Sequence, residues 1–168
     1  MIVFSLSDDI YNQPSRGLVC VYSLKNPAHP EYICESSSGI MCLDFHPQHP
    51  HMLVVGLYNG NVAVYNLQKN VGRILQPVYQ SRACAGKHME SVWQVKWASD
   101  DLDNYLIFFS VSEDSRVTQW TLVKTSMIWA DRIIIDFGKQ LQNINHDKLK
   151  GTKFGGRYFL FLKIYKLD

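Results

Sequence analysis

Between turn residues the chain alternates apolar and polar positions with a period of two, which predicts β-strands rather than helices over most of its length. The pattern also repeats. Gly17, Val19, Val21, Tyr22 and Leu24 line up with Gly60, Val62, Val64, Tyr65 and Leu67, and again with Ser115, Val117, Gln119, Trp120 and Leu122. Each copy is a turn residue, an alternating strand, an aromatic and a Leu two places later. A second pattern precedes the later copies: Ile40, Leu43 and Phe45 match Val92, Val95 and Trp97, and apolar runs at 52–55 and 106–109 lie in between. The turns are Tyr58, Asn59 and Gly60 in one unit and Glu113, Asp114 and Ser115 in the other, residue types that reverse the chain or bond back to their own backbone. The predicted unit is strand, loop, strand, tight turn, strand, with a further outer strand supplied by the linker to the next unit. The fold class is therefore all-β.

Composition sets outer bounds on this picture. In 168 residues, 46% are apolar and 19% charged, enough to bury a core and too apolar for a disordered chain. A net charge of +2 does not predict a nucleic-acid or membrane-surface partner. The apolar runs, such as 133–135 and the five residues of 158–162, fall far below the ~20 residues that span a bilayer. Residues 1–9 lack the basic region and the cleavage site of a secretory signal, so a cytoplasmic location is expected. Cys20, Cys34, Cys42 and Cys84 have no CxxC spacing and read as buried reduced thiols.

Three further groupings invite a site and are read otherwise. His46, His49 and His51 are interleaved with Pro47 and Pro50, which marks a loop between two strands, so no metal is expected there. The glycines at 151, 155 and 156 lack the Lys-Ser/Thr ending of a phosphate cradle. Asp100, Asp101 and Asp103 lack the glycine and terminal Glu of a calcium loop and read as a solvated hairpin. No cofactor is expected.

Aromatics spaced 43 and then 55 residues apart, in four-strand units with a Trp closing the third strand, resemble blades of a WD40 propeller, whose period is about 40–45 residues. The likeness is most specific in the last unit. Gly86, Lys87 and His88 resemble the family's Gly-His element with one residue inserted, and Asp114 precedes Trp120 by the family's interval of six. The resemblance implies a buried hydrogen-bonded set of His88, a strand serine (Ser110 or Ser112), Asp114 and Trp120, with a structural role. Such a role makes physical sense, because a buried imidazole and indole need polar partners. A Ser-His-Asp hydrolase is disfavoured, since no GxSxG elbow accompanies these residues. The other units are degenerate, with Asn59 at the turn and Tyr65 and Tyr22 in the Trp position.

Four strings narrow the resemblance: Tyr22 through Pro27; Phe45, His46 and Pro47; Gly56 through Val62; and Val92 through Trp97. Together they resemble the propeller of dynein intermediate chains, the axonemal type more than the cytoplasmic, from about residue 1 to 137. The resemblance implies a non-catalytic scaffold that docks dynein heavy chain and supports motor-arm assembly and ciliary or flagellar movement. Its further partners would be other dynein intermediate and light chains. Light chains bind mainly N-terminal to the propeller, which makes heavy-chain docking the leading expectation. The implied location is the cytoplasm, the cytoskeleton and the axoneme of a cilium or flagellum. The alternative is a generic WD40 adaptor in a cytoplasmic complex, for cytoplasmic dynein transport or in a ubiquitin ligase.

Charge reverses along the chain. Residues 139–168 carry seven Lys plus Arg against two Asp, and the residues before them carry ten against thirteen acids. The expected organisation is a propeller segment over 1–137, with units ending near 24, 67 and 122, then a basic divergent tail over 138–168. That tail has one strand-like stretch at 157–167 and no match to a blade. Closed propellers use about 4–8 blades, whereas this sequence supplies the end of one unit and two fuller ones. A partial propeller of about three four-stranded blades in an unclosed ring is expected, with exposed sheet edges and a marginal or partner-dependent stability.

Overall fold

In the computed structural model, which describes residues 16–69, 72–81, 86–98, 105–124 and 126–133 together with the backbone of 2–7 and 134, strands alone make up the regular structure. The first sheet is ordered β1 (Ile2–Ser7), β2 (Gly17–Tyr22), β3 (Tyr32–Ser36), β7 (Ile74–Leu75). The middle sheet is ordered β4 (Ile40–Phe45), β5 (Met52–Leu57), β6 (Val62–Asn66), β8 (Tyr79–Gln80), and the third β12 (Ser126–Ile134), β11 (Arg116–Val123), β10 (Ile107–Ser112), β9 (Val92–Trp97). These three four-stranded sheets are blades of a partial propeller, and none of them closes on itself.

Tight turns explain the meander. Asn59 Oδ1 accepts the Asn61 N–H at 3.1 Å, and Asp114 Oδ1 accepts the Arg116 N–H at 3.1 Å, so each turn's acid or amide holds its own backbone two residues on. The following residues, Gly60 and Ser115, both adopt positive φ, +81° and +65°. At Gly60 glycine is required twice over, because a Cβ would lie 2.2 Å from the His88 carbonyl oxygen.

The middle sheet is apolar on both faces, and its neighbours explain why. Leu53, Val55, Leu57, Ala63 and Tyr65 pack against Val19, Val21 and Cys34 of the first sheet. Met52, Val54, Val62 and Val64 pack against Val92, Val95, Trp97, Phe108 and Trp120 of the third. Successive side chains of β5 thus enter opposite cores, which is what a strand buried on both faces demands. Each such side chain contributes about 1.5–3 kcal/mol by burial. Asp44 adds a polar tie between these two sheets, accepting the Trp97 backbone N–H on its carboxylate (2.9 Å) and the Trp97 indole N–H on its carbonyl (3.1 Å).

Two features depart from the simple repeat. The first sheet carries its fourth strand outside, where β7 runs parallel to β3 by pairing Ile74 with Ile33 and Leu75 with Cys34. The linker therefore contributes twice, at β7 to the first sheet and at β8 to the middle one. The outer strand of the third sheet, by contrast, is long and pairs with β11 from Val123 to Arg116. The basic tail, the 100–103 acidic cluster, the 151–156 glycines and Cys84 lie outside the described residues.

Candidate functional site

The third sheet brings four of the sequence-selected side chains together. Strand β10 projects Ser110 and β11 projects Trp120 onto the face toward the middle sheet, the turn between β10 and β11 supplies Asp114, and the segment entering β9 supplies His88. The Trp120 indole N–H donates to Ser110 Oγ at 2.7 Å. Ser110 Oγ lies 2.7 Å from His88 Nε2, and His88 Nδ1 lies 3.1 Å from both carboxylate oxygens of Asp114. A carboxylate can only accept, so the network assigns the proton to Nδ1, and Ser110 donates its hydroxyl to Nε2. One continuous run of donors then leads from Trp120 through Ser110 and His88 to Asp114.

The Ser110–His88–Asp114 portion has the connectivity of a hydrolytic triad but not its access. Ser110 and His88 are fully buried, and the Ser110 oxygen is already taken by the indole N–H. No reacting carbonyl can approach that oxygen without removing Trp120.

Ser112 stands apart from the inner run. Its hydroxyl donates to the Glu90 carbonyl at 2.9 Å and receives the Asp114 N–H at 3.4 Å, pinning the turn to the strand entrance. Of the two candidate serines, the structure therefore places Ser110 between histidine and tryptophan.

An outer layer escaped the sequence reading. Arg116 donates from Nε and Nη2 to the Asp131 carboxylate at 3.1, 2.7 and 2.8 Å, and Thr118 donates its hydroxyl to the same carboxylate at 2.8 Å. Arg116 Nη1 also donates to the Lys87 carbonyl at 3.3 Å. This bidentate pair ties β12 and β11 to the His88 segment. Gly86 makes room beside it, since a Cβ there would meet the Trp129 ring at 2.2 Å. A register for the outer strand would have exposed Asp131 as an inward neighbour of Thr118, but the linker sequence alone does not fix that register.

Burial by itself would raise the Asp114 carboxyl. The hydrogen bonds it accepts from His88 and from the Met89 and Arg116 backbone N–H groups outweigh it and hold the group below its ordinary value of 3.8. Asp131 is likewise held low, with burial overcome by Arg116 and Thr118. Groups with depressed folded values stabilise the fold fully above 3.8 and lose that contribution as pH falls through the folded values. Stability to urea is therefore expected to be flat from neutrality to about pH 5 with respect to these groups and to drop in acid below about pH 4. The acid drop should shrink in Asp114→Asn and Asp131→Asn, and urea titrations across that range check it.

The middle unit holds different residues at every corresponding position. Asn59 stands for Asp114, Tyr65 for Trp120, Val55 for Ser110, Ala63 for Thr118 and Ser36 for His88. The buried Tyr65 hydroxyl donates to the Glu35 carbonyl at 2.6 Å, and Lys87 is the residue that matches Glu35. Removing both sides of a buried hydrogen bond together leaves nothing unsatisfied, so this apolar version is self-consistent. Tyr22, at the corresponding position of the first sheet, is half-buried opposite Ile2 at the end of β2.

The remaining groupings also have definite places. His46 is buried, its Nδ1 accepts the N–H groups of Gln48 (3.2 Å) and His49 (3.0 Å), and its ring meets Trp97 edge-on at 4.8 Å. It caps the β4–β5 loop from inside. Burial pushes the thiols of Cys34 and Cys42 up to about 12, keeping them protonated. A cleft of about 620 Å³ between the first and middle sheets is lined by Arg16, Glu35, Ser36, Tyr65, Gln76 and Gln80. No helix among the described residues is long and apolar enough to cross a membrane.

Against this geometry stand the comparisons with known proteins. A family model described as the dynein axonemal intermediate chain 3 WD40 domain matches residues 5–131. Dynein axonemal intermediate chain 1 of Bos taurus is 53% identical over 123 residues, covering 73% of this chain and 17% of that protein. Dynein intermediate chain 2, ciliary, of Heliocidaris crassispina is 42% identical over 153 residues, covering 90% of this chain and 21% of its own length. The 78 kDa intermediate chain of the flagellar outer arm of Chlamydomonas reinhardtii is 44% identical over 112 residues, covering 67% and 16%. The chain thus spans about a fifth of the length of these relatives. Among solved structures, the WD40 domain of Toxoplasma gondii coronin superposes with a TM-score of 0.51 at 16% identity, covering 70% of this chain and 29% of the coronin chain, which supports the fold alone.

Proposed function

Since this chain belongs to the WD40-domain family of axonemal dynein intermediate chains, we propose that it acts as a non-catalytic scaffold subunit of axonemal dynein, docking the heavy chain and supporting assembly of the motor arm. The family match over residues 5–131 is the observation that carries this reading. Relatives named ciliary and of the flagellar outer arm support a place in the axoneme. Physical chemistry agrees with a scaffold. Blades locked by shared cores present their loops in fixed positions, so a partner is gripped with little ordering cost.

In this reading His88, Ser110, Ser112, Asp114 and Trp120 are structural, and Asn59, Tyr65 and Tyr22 are their counterparts in degenerate blades. Residues 1–137 carry the propeller segment, and 138–168 form a divergent basic tail. The ATPase belongs to the heavy chain. The tagged 168-residue chain, incubated with ciliated-cell extract and analysed by mass spectrometry, is expected to recover axonemal dynein heavy chains. Recovery of cytoplasmic dynein or ubiquitin-ligase subunits in their place would favour the adaptor alternative.

A further inference from the structure

The third sheet carries a second apolar surface, on the face turned away from the middle sheet. Trp120, Leu122 and Met127 enter the core shared with the middle sheet, so the residues that alternate with them point the other way. The strand registers set these out in rows. Val111, Val117 and Ile133 form one row, Phe109, Gln119 and Ala130 the next, and Ile107, Thr121 and Ile128 the third. Cross-strand partners in register sit side by side on one face, so the rows make one continuous surface.

Val111, Val117 and Phe109 cluster on this face, and among the described residues the cluster draws on the third sheet alone. Ile128 and Ile133 are 56% and 37% exposed. The matching face of the middle sheet has Met52 at the place of Ile107, Val54 at that of Phe109 and Val62 at that of Val117, and there the third sheet itself is the cover. A face built to the same pattern calls for a cover of the same apolar kind.

We propose that residues 157–167 of this chain supply that cover, lying across the face as an extended apolar strand. Eight of these eleven residues are aliphatic or aromatic, and Leu160, Leu162 and Ile164 occupy alternate positions that share one side of a strand. The segment matches no blade, so it has no sheet of its own to complete. It is also tethered at the right place. Strand β12 borders the face and is the last described element. The 22 residues at 135–156 can reach roughly 70 Å when extended, several times the width of four strands about 4.8 Å apart. Such a cover shields apolar surface that otherwise invites association, and it operates whether or not the heavy chain docks.

Thiol labelling of the 168-residue chain, read peptide by peptide by mass spectrometry, tests this. Ile133→Cys places a reporter on the face, and Leu24→Cys, at a side chain 77% exposed just after β2, supplies the unshielded rate. The Ile133→Cys thiol should label at least about tenfold more slowly than the Leu24→Cys thiol, and equally so on dilution, because a tethered cover acts within one molecule. Adding Leu160→Asp and Leu162→Asp should raise the Ile133→Cys rate by about tenfold or more and leave Leu24→Cys unchanged. Cys34, fully buried, stays unlabelled while the blades are folded; if the aspartates unfold them, Leu160→Ser with Leu162→Ser takes their place. Labelling of Ile133→Cys as fast as Leu24→Cys, protection that survives the tail changes, or protection that fades on dilution, the mark of a second copy on this face, would overturn the proposal.

Discussion

Trp120→Ala should destabilise the fold by about 3–5 kcal/mol, the cost of emptying a buried aromatic site. Trp120 is 1% exposed and stacks on Phe108 at 6.1 Å, and Phe108 in turn meets Trp97 edge-on at 5.3 Å. All three belong to the core shared by the middle and third sheets, so the cavity would open at the joint between two blades. Trp120→Phe retains most of the packing and loses the hydrogen bond to Ser110, with an expected cost of about 1–2 kcal/mol. Urea unfolding of the pair checks the order, with alanine well below phenylalanine. Equal costs would mean that the indole hydrogen bond, and not packing, dominates at this position.

The second large effect is expected from Ser110→Val, at about 3 kcal/mol. Ser110 Oγ is the shared partner of the Trp120 indole and of His88 Nε2, each at 2.7 Å in a fully buried setting. Valine leaves both ring nitrogens without a partner and brings one more heavy atom into a fully buried site. The middle unit already carries Val55 there, harmlessly, because its neighbours are Tyr65, Ser36 and Asn59. Exchanging the whole set, His88→Ser, Ser110→Val, Asp114→Asn and Trp120→Tyr, should therefore cost much less than the sum of the four single changes. In that quadruple variant the new tyrosine hydroxyl meets the Lys87 carbonyl, as Tyr65 meets Glu35. Additivity across the five proteins, measured by urea unfolding, would show that the four side chains do not act as a unit.

Much of the architecture is legible in the chain because strands and tight turns are local. The repeated alternation ending in Tyr22, Tyr65 and Trp120 marks β2, β6 and β11, and the Asn59 and Asp114 turns mark the hairpins between strands. The six-residue interval from Asp114 to Trp120 reflects the depth of one hairpin arm, so it too can be counted in sequence. What escapes is non-local. Asp131 meets Arg116 only once β12 is placed in register against β11, and the two-residue strand β7 carries no alternation that could announce its parallel pairing with β3. His46 shows a third kind of miss. Its prolines identify the loop correctly, yet nothing in the local pattern says that this one histidine turns inward to cap it, because that depends on Trp97 arriving from another blade.

Stability and function meet in the loops. The network that holds His88 also fixes the Met89 backbone through Asp114, so Ser110→Val should loosen the segment entering β9 even where the blade survives. A scaffold gains from such coupling, since its binding surface is only as ordered as the core beneath it.

Purified heavy-chain tail from an axonemal dynein, passed over the immobilised 168-residue chain, tests the scaffold reading most directly. The account predicts saturable binding that is unchanged by ATP, because the nucleotide chemistry resides elsewhere in the heavy chain, and that is lost in Trp120→Ala as the blade joint opens. A heavy-chain tail that fails to bind the folded chain, or binds the wild type and Trp120→Ala alike, would contradict it.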